Sequence, residues 1–282
     1  MTRDELRPIF DKIKPLPQVA VHILSAADDE HVSTEELANL VRHDVALHAR
    51  VLKVANSALY GLRTTVDSVD RAIALLGRRT LVKLVVSACA GDTLQGGERG
   101  YLLDHGALFR HGMAAGVTSE LLGKQVPLAN PGLVYSACLL QDLGKIVLDE
   151  WVACEASGLT HLVDEGVTFV EAEQRILGVD HATVGSWLAQ AWGFPPPLVE
   201  AIQHHHDPEH ANDPTIPRIV QFCDALCLMA GIDCGCDGLA YAVESDIAAK
   251  IGVTESQVGE LTIGLAERLT ELDQLLNDTL PA

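Results

Sequence analysis

No stretch of this chain sustains the every-second-residue apolar alternation of a half-buried strand, while apolar residues recur at three- and four-residue spacing along most of its length. A chain patterned in this way buries its apolar surface by packing helix on helix. The residue content agrees. Leu, Val and Ala carry the apolar load, aromatic residues are only 4%, and Ala and Leu are strong helix formers. With 282 residues, 48% of them hydrophobic and 21% charged, the chain can build a sizeable core and does not have the composition of a disordered segment. The expected fold class is all-α.

Local signals place the helices. Pro15-Leu16-Pro17 marks an opening turn, after which Val19, Ile23 and Leu24 follow at helical spacing. Ser33 with Glu36 is a capping box leading into Leu37, Leu40 and Val41 on one face. A helix is expected from 46 to about 60, with Leu47, Val51 and Val54 or Ala55 inward and Gly61 as its stop. Ser68 caps a helix over Val69–Leu76 that ends at Gly77, and another runs from 79 to 90. The run Gln-Gly-Gly-Glu-Arg-Gly at 95–100 is the strongest punctuation in the chain. Residues 1–95 are therefore expected to form an N-terminal helical bundle, and 101–230 a second helical domain with helices near 101–124, 132–148, 168–177, 181–192, 196–205 and 214–230. After a Gly-rich turn at 233–238, residues 231–282 read as C-terminal helices beginning at Tyr241. The second of these starts near Thr254 and carries Val258, Leu261, Leu265 and Leu269.

Charge excludes one class of partner. With 39 acidic residues against 20 basic ones the net charge is −19, and such a surface repels a phosphate backbone, so no direct nucleic-acid binding is expected. Arg78-Arg79 and Lys83 read as solvated helix ends. The N-terminus lacks the apolar run of a signal peptide, and the apolar stretches near 81–90 and 133–140 are too short to span a membrane. Seven scattered cysteines, an odd number, read as reduced thiols, and the expected location is cytoplasmic. Cys223, Cys227, Cys234 and Cys236 do not follow a zinc spacing. The first two, one turn apart, are expected to pack as small apolar residues, and the last two form the pair most open to oxidation.

Chemistry is concentrated in the second half. His111, Asp142, His181, the run His204-His205-His206 and Asp224 fall on successive expected helices. Inward-facing imidazoles and carboxylates on neighbouring helices are how bundle proteins assemble metal sites, which activate water and clamp phosphate oxygens. Consecutive helical residues point about 100° apart, so the three adjacent histidines are not expected to face one ion together. Lys145 reads as a helix-end charge rather than a phosphate contact.

These residues sit in telling contexts: Arg110-His111, Gln141-Asp142-Leu143-Gly144-Lys145, Val179-Asp180-His181-Ala182-Thr183-Val184-Gly185 and Ile202-Gln203-His204-His205-His206-Asp207-Pro208. Their order resembles the HD superfamily of metal-dependent phosphohydrolases, and more closely its HDOD branch. The Pro15–Ala20 region, Leu52-Lys53-Val54-Ala55-Asn56-Ser57-Ala58-Leu59-Tyr60-Gly61 and the segment from Ser68 to Gly77 also resemble HDOD proteins, so the likeness covers roughly residues 8 to 230. It implies an HD-like helical domain after the N-terminal bundle and a role in bacterial signal transduction. By position it makes His111 the first metal histidine and Asp142 the aspartate of the His-Asp dyad. It makes His181 and His205 or His206 the later histidines, and Asp224 the final aspartate. A divalent ion (Fe, Mn, Zn, Ni or Mg) is the implied cofactor.

The departure is central, because Gln141 stands where the dyad histidine belongs. A primary amide offers only a weak carbonyl oxygen in place of a strong imidazole ligand. Gln141 and Asp142 are then expected either to leave a weakened metal site or to hydrogen-bond to His111 and His181 as a buried polar network. The reading that follows is a regulatory, non-catalytic module acting through a protein partner or a ligand, with any sensory input supplied from outside. The alternative is a metal-dependent phosphohydrolase acting on a nucleotide or cyclic dinucleotide. No Gly-Tyr-Pro motif follows the dyad, which argues against cyclic di-GMP as substrate. A thiol-based redox sensor is the third reading.

Overall fold

The computed structural model describes residues 1–26, 32–94, 96–97, 99–232, 235–236 and 246–279, and among these there is no strand. Cys234, the Gly-rich turn apart from Gly235 and Cys236, and the start of the tail at Tyr241 lie outside the described residues. The first helices are α1 (Arg3–Phe10), α2 (Gln18–Ala26), α3 (Thr34–His43), α4 (Val45–Ala55), α5 (Val69–Leu76) and α6 (Arg78–Leu94). α7 (Ala107–Leu122), α8 (Pro131–Leu140), α9 (Leu143–Cys154), α10 (Ala156–Asp164), α11 (Phe169–Leu177), α12 (His181–Ala191), α13 (Pro196–Gln203) and α14 (Thr215–Met229) follow. α15 (Ile247–Lys250) and α16 (Glu255–Thr279) complete the order, and no described helix is long and apolar enough to cross a membrane.

The N-terminal signals act as their chemistry dictates. Ser33 accepts from the Glu36 amide while the Glu36 carboxylate takes the Ser33 amide, so two otherwise unpaired donors at the start of α3 are satisfied. Ser68 caps α5 through the Arg71 amide, and Gly77 ends it. Leu47, Val51, Val54 and Ala55 are all buried. α4 is shorter than expected, because the chain leaves it at Ala55 and makes a separate 3-10 turn over Ala58–Tyr60 before Gly61 turns left-handed at φ 56°. Lys83 is no solvated helix end. It pairs with Glu120 of α7 at 2.8 Å and is largely covered.

α4, α2 and α5 pack on α6, and α6 in turn packs on α8 and α7. α7 lies at the centre, against α8, α14 and α16, and one continuous apolar core runs from Leu6 to Leu276. α1 returns to the second half of the chain. It packs on α12 and α9, and the Met1 ammonium donates to the Leu177 carbonyl at 2.7 Å.

The main difference from the sequence expectation is at 132–148. The apolar pattern reads through without interruption, yet the chain breaks between α8 and α9 at Gln141-Asp142. Asp142 leaves helical geometry at φ −93°, ψ 17°, and α9 sets off in a new direction to pack along α12. Glycine fixes that approach. A Cβ on Gly144 would stand 1.8 Å from the His181 carbonyl oxygen and 2.7 Å from the Gly185 amide nitrogen. Only a residue without a side chain lets α9 start so close to the start of α12.

Candidate metal centre

That close approach brings Asp142, at the start of α9, beside His181, the first residue of α12. Asp180 caps α12 through the Thr183 amide at 2.7 Å, which sets the helix start and so the direction of His181. The third contributor is the end of α13. That helix stops at Gln203, so His204, His205 and His206 lie beyond it rather than on it. The 100° rule of a regular helix therefore does not govern them, and two of the three turn the same way. His205 is buried with Nε2 3.9 Å from Asp142 Oδ1. His206 Nε2 lies 3.0 Å from His181 Nε2. His204 does not join them and lines a surface groove with Glu200 and Asn212.

Asp142, His181, His205 and His206 thus form one cluster whose ligand-type atoms all lie within 4.8 Å of one another. His181 Nε2 is 3.6 Å from Asp142 Oδ1. Donors bound to one ion at about 2.0–2.2 Å lie roughly 3–4 Å apart, so the four are close to the spacing of a single ion's ligands. Buried polar atoms point the same way. Asp142 Oδ2 and His205 Nε2 have no hydrogen-bond partner among the described residues, and a buried group left so costs about 1–3 kcal/mol. The residues present fit one divalent ion.

His111 and Asp224 fall into a second, adjoining group, which Gln141 closes. His111 Nε2 is 2.7 Å from Asp224 Oδ1, and the Gln141 amide donates to the same oxygen at 2.8 Å while lying 3.3 Å from His111 Nε2. All three side chains are buried. His111 and Gln141 thus meet at the Asp224 carboxylate, and the Gln141 carbonyl oxygen is buried without a hydrogen-bond partner among the described residues. Of the buried network expected from the sequence, Gln141 and His111 are joined through a shared acceptor, Asp224 Oδ1, to which both donate. The Asp142–His181 half is an ion-pair contact at 3.6 Å.

Two supporting residues were not among the sequence candidates. Glu173 is fully buried on α11, accepts from His181 Nδ1 at 2.7 Å and from the His181 amide at 3.1 Å, and is also held by the buried Tyr101 hydroxyl. This holds an Nδ1 proton against Glu173 and turns Nε2 toward the cluster, the usual role of a carboxylate behind a ligating histidine. The signal was visible. Phe169, Ala172, Glu173, Ile176 and Leu177 share the apolar stripe of α11, and a carboxylate on such a stripe needs a partner. The second is Lys145, which is no helix-end charge: it is buried, with Nζ 3.1 Å from Asp142 Oδ1.

Electrostatics follow from this packing. Burial opposes ionisation of Asp142, but the Lys145 ammonium and the imidazoles of His181 and His205 outweigh it and hold the carboxyl below the usual carboxylate range. Burial likewise opposes charge on His181, yet Glu173 holds that imidazole up at about 8. Burial pulls His205 down, and burial with two neighbouring imidazoles pulls His206 well down, so both are neutral and have lone pairs to give. Burial opposes charge on His111, but its hydrogen bond to Asp224 together with the charges of Asp224 and Asp142 hold the imidazole raised. The buried Cys138, Cys223 and Cys227 are packed as apolar residues, and burial pushes the Cys223 thiol far up.

An all-helical bundle with a buried His/Asp cluster where α9, α12 and the end of α13 converge defines a protein of HD type. The chain belongs to the HDOD family, whose domain model matches residues 13–208. It is 30% identical over 213 residues to an uncharacterised protein of Treponema pallidum (strain Nichols), a match covering 74% of this chain and 40% of that one. The matched stretch thus spans two-fifths of the length of that relative. Among solved structures, an HDOD domain protein of unknown function from Geobacter sulfurreducens is 26% identical, covers 97% of both chains and superposes with a TM-score of 0.78. A provisionally named phosphohydrolase from Shewanella amazonensis SB2B is 22% identical, covers 96% of this chain and 97% of its own, and gives a TM-score of 0.64, a likeness of fold.

Proposed function

We propose that this protein is a regulatory HDOD module of bacterial signal transduction that binds at most one divalent ion and works through protein or ligand binding rather than turnover. The observation that carries this reading is the Gln141 amide donating to the same Asp224 oxygen that takes the His111 hydrogen bond. Two-ion hydrolysis needs a second cation to stabilise the attacking and leaving oxygens together, and the donors for it are occupied. Asp142, His181, His205 and His206 would hold the remaining ion, with Glu173 behind His181. A bound divalent ion there supplies Lewis acidity and lowers the pKa of a coordinated water. Lys145 already neutralises part of the Asp142 charge, which weakens the pull on an incoming cation.

One observation favours the alternative, a one-ion phosphohydrolase: Asp142 Oδ2 and His205 Nε2 are both unpartnered in the cluster. Phosphodiesterase assays with bis(p-nitrophenyl) phosphate and with cyclic dinucleotides separate the two readings, using protein purified without chelator and supplied with Mn or Fe. The expected result is no turnover above that of Asp142→Ala. Robust turnover abolished by Asp142→Ala overturns the non-catalytic reading.

A further inference from the structure

We infer that Tyr101, on the loop ahead of α7, is a positioning residue of the metal centre and that the strained turn carrying it links ion affinity to the protein surface, a role that rests on the one-ion reading of that centre. The ring is fully buried. Its hydroxyl donates to Glu173 Oε1, while Glu173 Oε2 takes the His181 Nδ1 hydrogen bond, so one carboxylate joins the tyrosine to a ligand-type imidazole. The same ring stands nearly perpendicular to the His181 imidazole, with centroids 6.4 Å apart, and has Lys145 Nζ 5.7 Å from its centre. Tyr101 therefore packs against the two groups that face Asp142 most closely: the ammonium at 3.1 Å and the imidazole at 3.6 Å.

The loop holds this ring in place against backbone strain. Gly100 lies so close to α9 that a Cβ there would stand 2.1 Å from the Asp149 carbonyl oxygen, and its amide donates to Asp149 Oδ1 at 2.7 Å. The Tyr101 carbonyl accepts from the Cys236 amide at 2.6 Å, and Leu103 is again buried. Between these fixed points Leu102 takes a left-handed φ of 58°, the one non-glycine with a positive φ among the described residues, while its side chain is 75% exposed. A leucine is strained in that region, and a glycine would not be. Strain of this kind persists only where the surroundings over-determine it, and here the exposed side chain offsets none of it. What the turn delivers is the buried Tyr101. The turn fixes Tyr101, Tyr101 holds Glu173, and Glu173 orients His181. A change at the turn therefore changes ion affinity, and a bound ion steadies the turn by the same free energy. A module without turnover gains in this way a route from ion occupancy to its surface.

Affinity for Mn(II), read by competition with a chromophoric chelator, tests this chain of contacts. Tyr101→Phe should weaken Mn(II) by about tenfold, as loss of a group behind a ligating histidine does. Tyr101→Phe combined with Glu173→Gln should bind no more weakly than Glu173→Gln alone, since the hydroxyl acts through that carboxylate. In chelator-treated protein the His181 Nδ1 proton gives a second readout, a downfield NMR signal that is lost in Glu173→Gln and should shift in Tyr101→Phe. A merely structural role would leave that signal in place and the two losses additive. Leu102→Gly, which takes the turn without strain, should hold Mn(II) within about twofold of wild type, whereas Leu102→Pro, with φ fixed at about −65°, should weaken it by about tenfold. Leu102→Ile, whose branched Cβ resists a positive φ, replaces Leu102→Pro if that variant unfolds. Wild-type affinity in Tyr101→Phe, additive losses in the double variant, an unmoved His181 signal, or no Mn(II) binding by wild type overturns the inference. So does equal affinity in Leu102→Gly and the Pro or Ile variant. Phosphodiester turnover by wild type would instead sink only the non-catalytic reading, because these affinity ratios do not depend on it.

Discussion

At the scale of single residues, the chemistry of the centre turns on three side chains that differ in how openly the sequence announces them. Gln141 was legible only through the family resemblance, which sets a histidine before Asp142. What it does there was open until its NH2 was placed against Asp224 and His111. Glu173 was legible in principle, as a charge on an apolar stripe, but nothing local in the sequence ties it to a histidine on another helix. Lys145 was misjudged because burial of a lysine depends on the whole of α9 turning inward. Glu173→Gln is expected to lower divalent-ion affinity by about 10–100-fold, read by competition with a chromophoric chelator. The same pair gives a pH signature in chelator-treated protein. The folded-state pKa of His181, at about 8, lies above the ordinary value, so its contribution to stability is fully present below about pH 6.5 and is lost as pH rises through 8. Urea unfolding of wild type should show that loss between pH 6.5 and 9, and Glu173→Gln should show much less of it. Parallel pH dependence in the two proteins would remove Glu173 from this role.

At the scale of elements, caps and stops were legible because they are local. Ser33 with Glu36, and Ser68 with Gly77, decide helix ends through atoms three or four residues away. Ser33→Ala should cost about 1 kcal/mol in urea unfolding, the usual worth of such a cap. The break between α8 and α9 was not legible, because apolar periodicity runs straight through it and its cause is the distant start of α12. The same holds for the two histidines that converge after α13, whose convergence depends on where that helix ends. Gly144→Ala tests the cause directly. Its Cβ would meet backbone atoms of His181 and Gly185 that cannot swing aside, so a loss of about 3 kcal/mol or more is expected. A Gly144→Ala protein as stable as wild type would show that α9 and α12 do not meet as closely as described.

At the scale of the whole molecule, fold class and family resemblance were the most legible features, since helical periodicity extends over most of the chain and the motifs lie along both halves. The contact of α1 with α9 and α12 was not legible, because it depends on how the two halves come together. The surface charge of −19 predicts that the protein passes through a heparin column at about 0.15 M salt without retention, where opposite-sign steering is absent. The proposed function requires that Gln141 leave room for one ion at most. Metal content per chain, measured by mass spectrometry on wild type and Gln141→His purified without chelator, tests it most directly. No more than one ion in wild type and a second in Gln141→His is the predicted result, and two ions in wild type would contradict it.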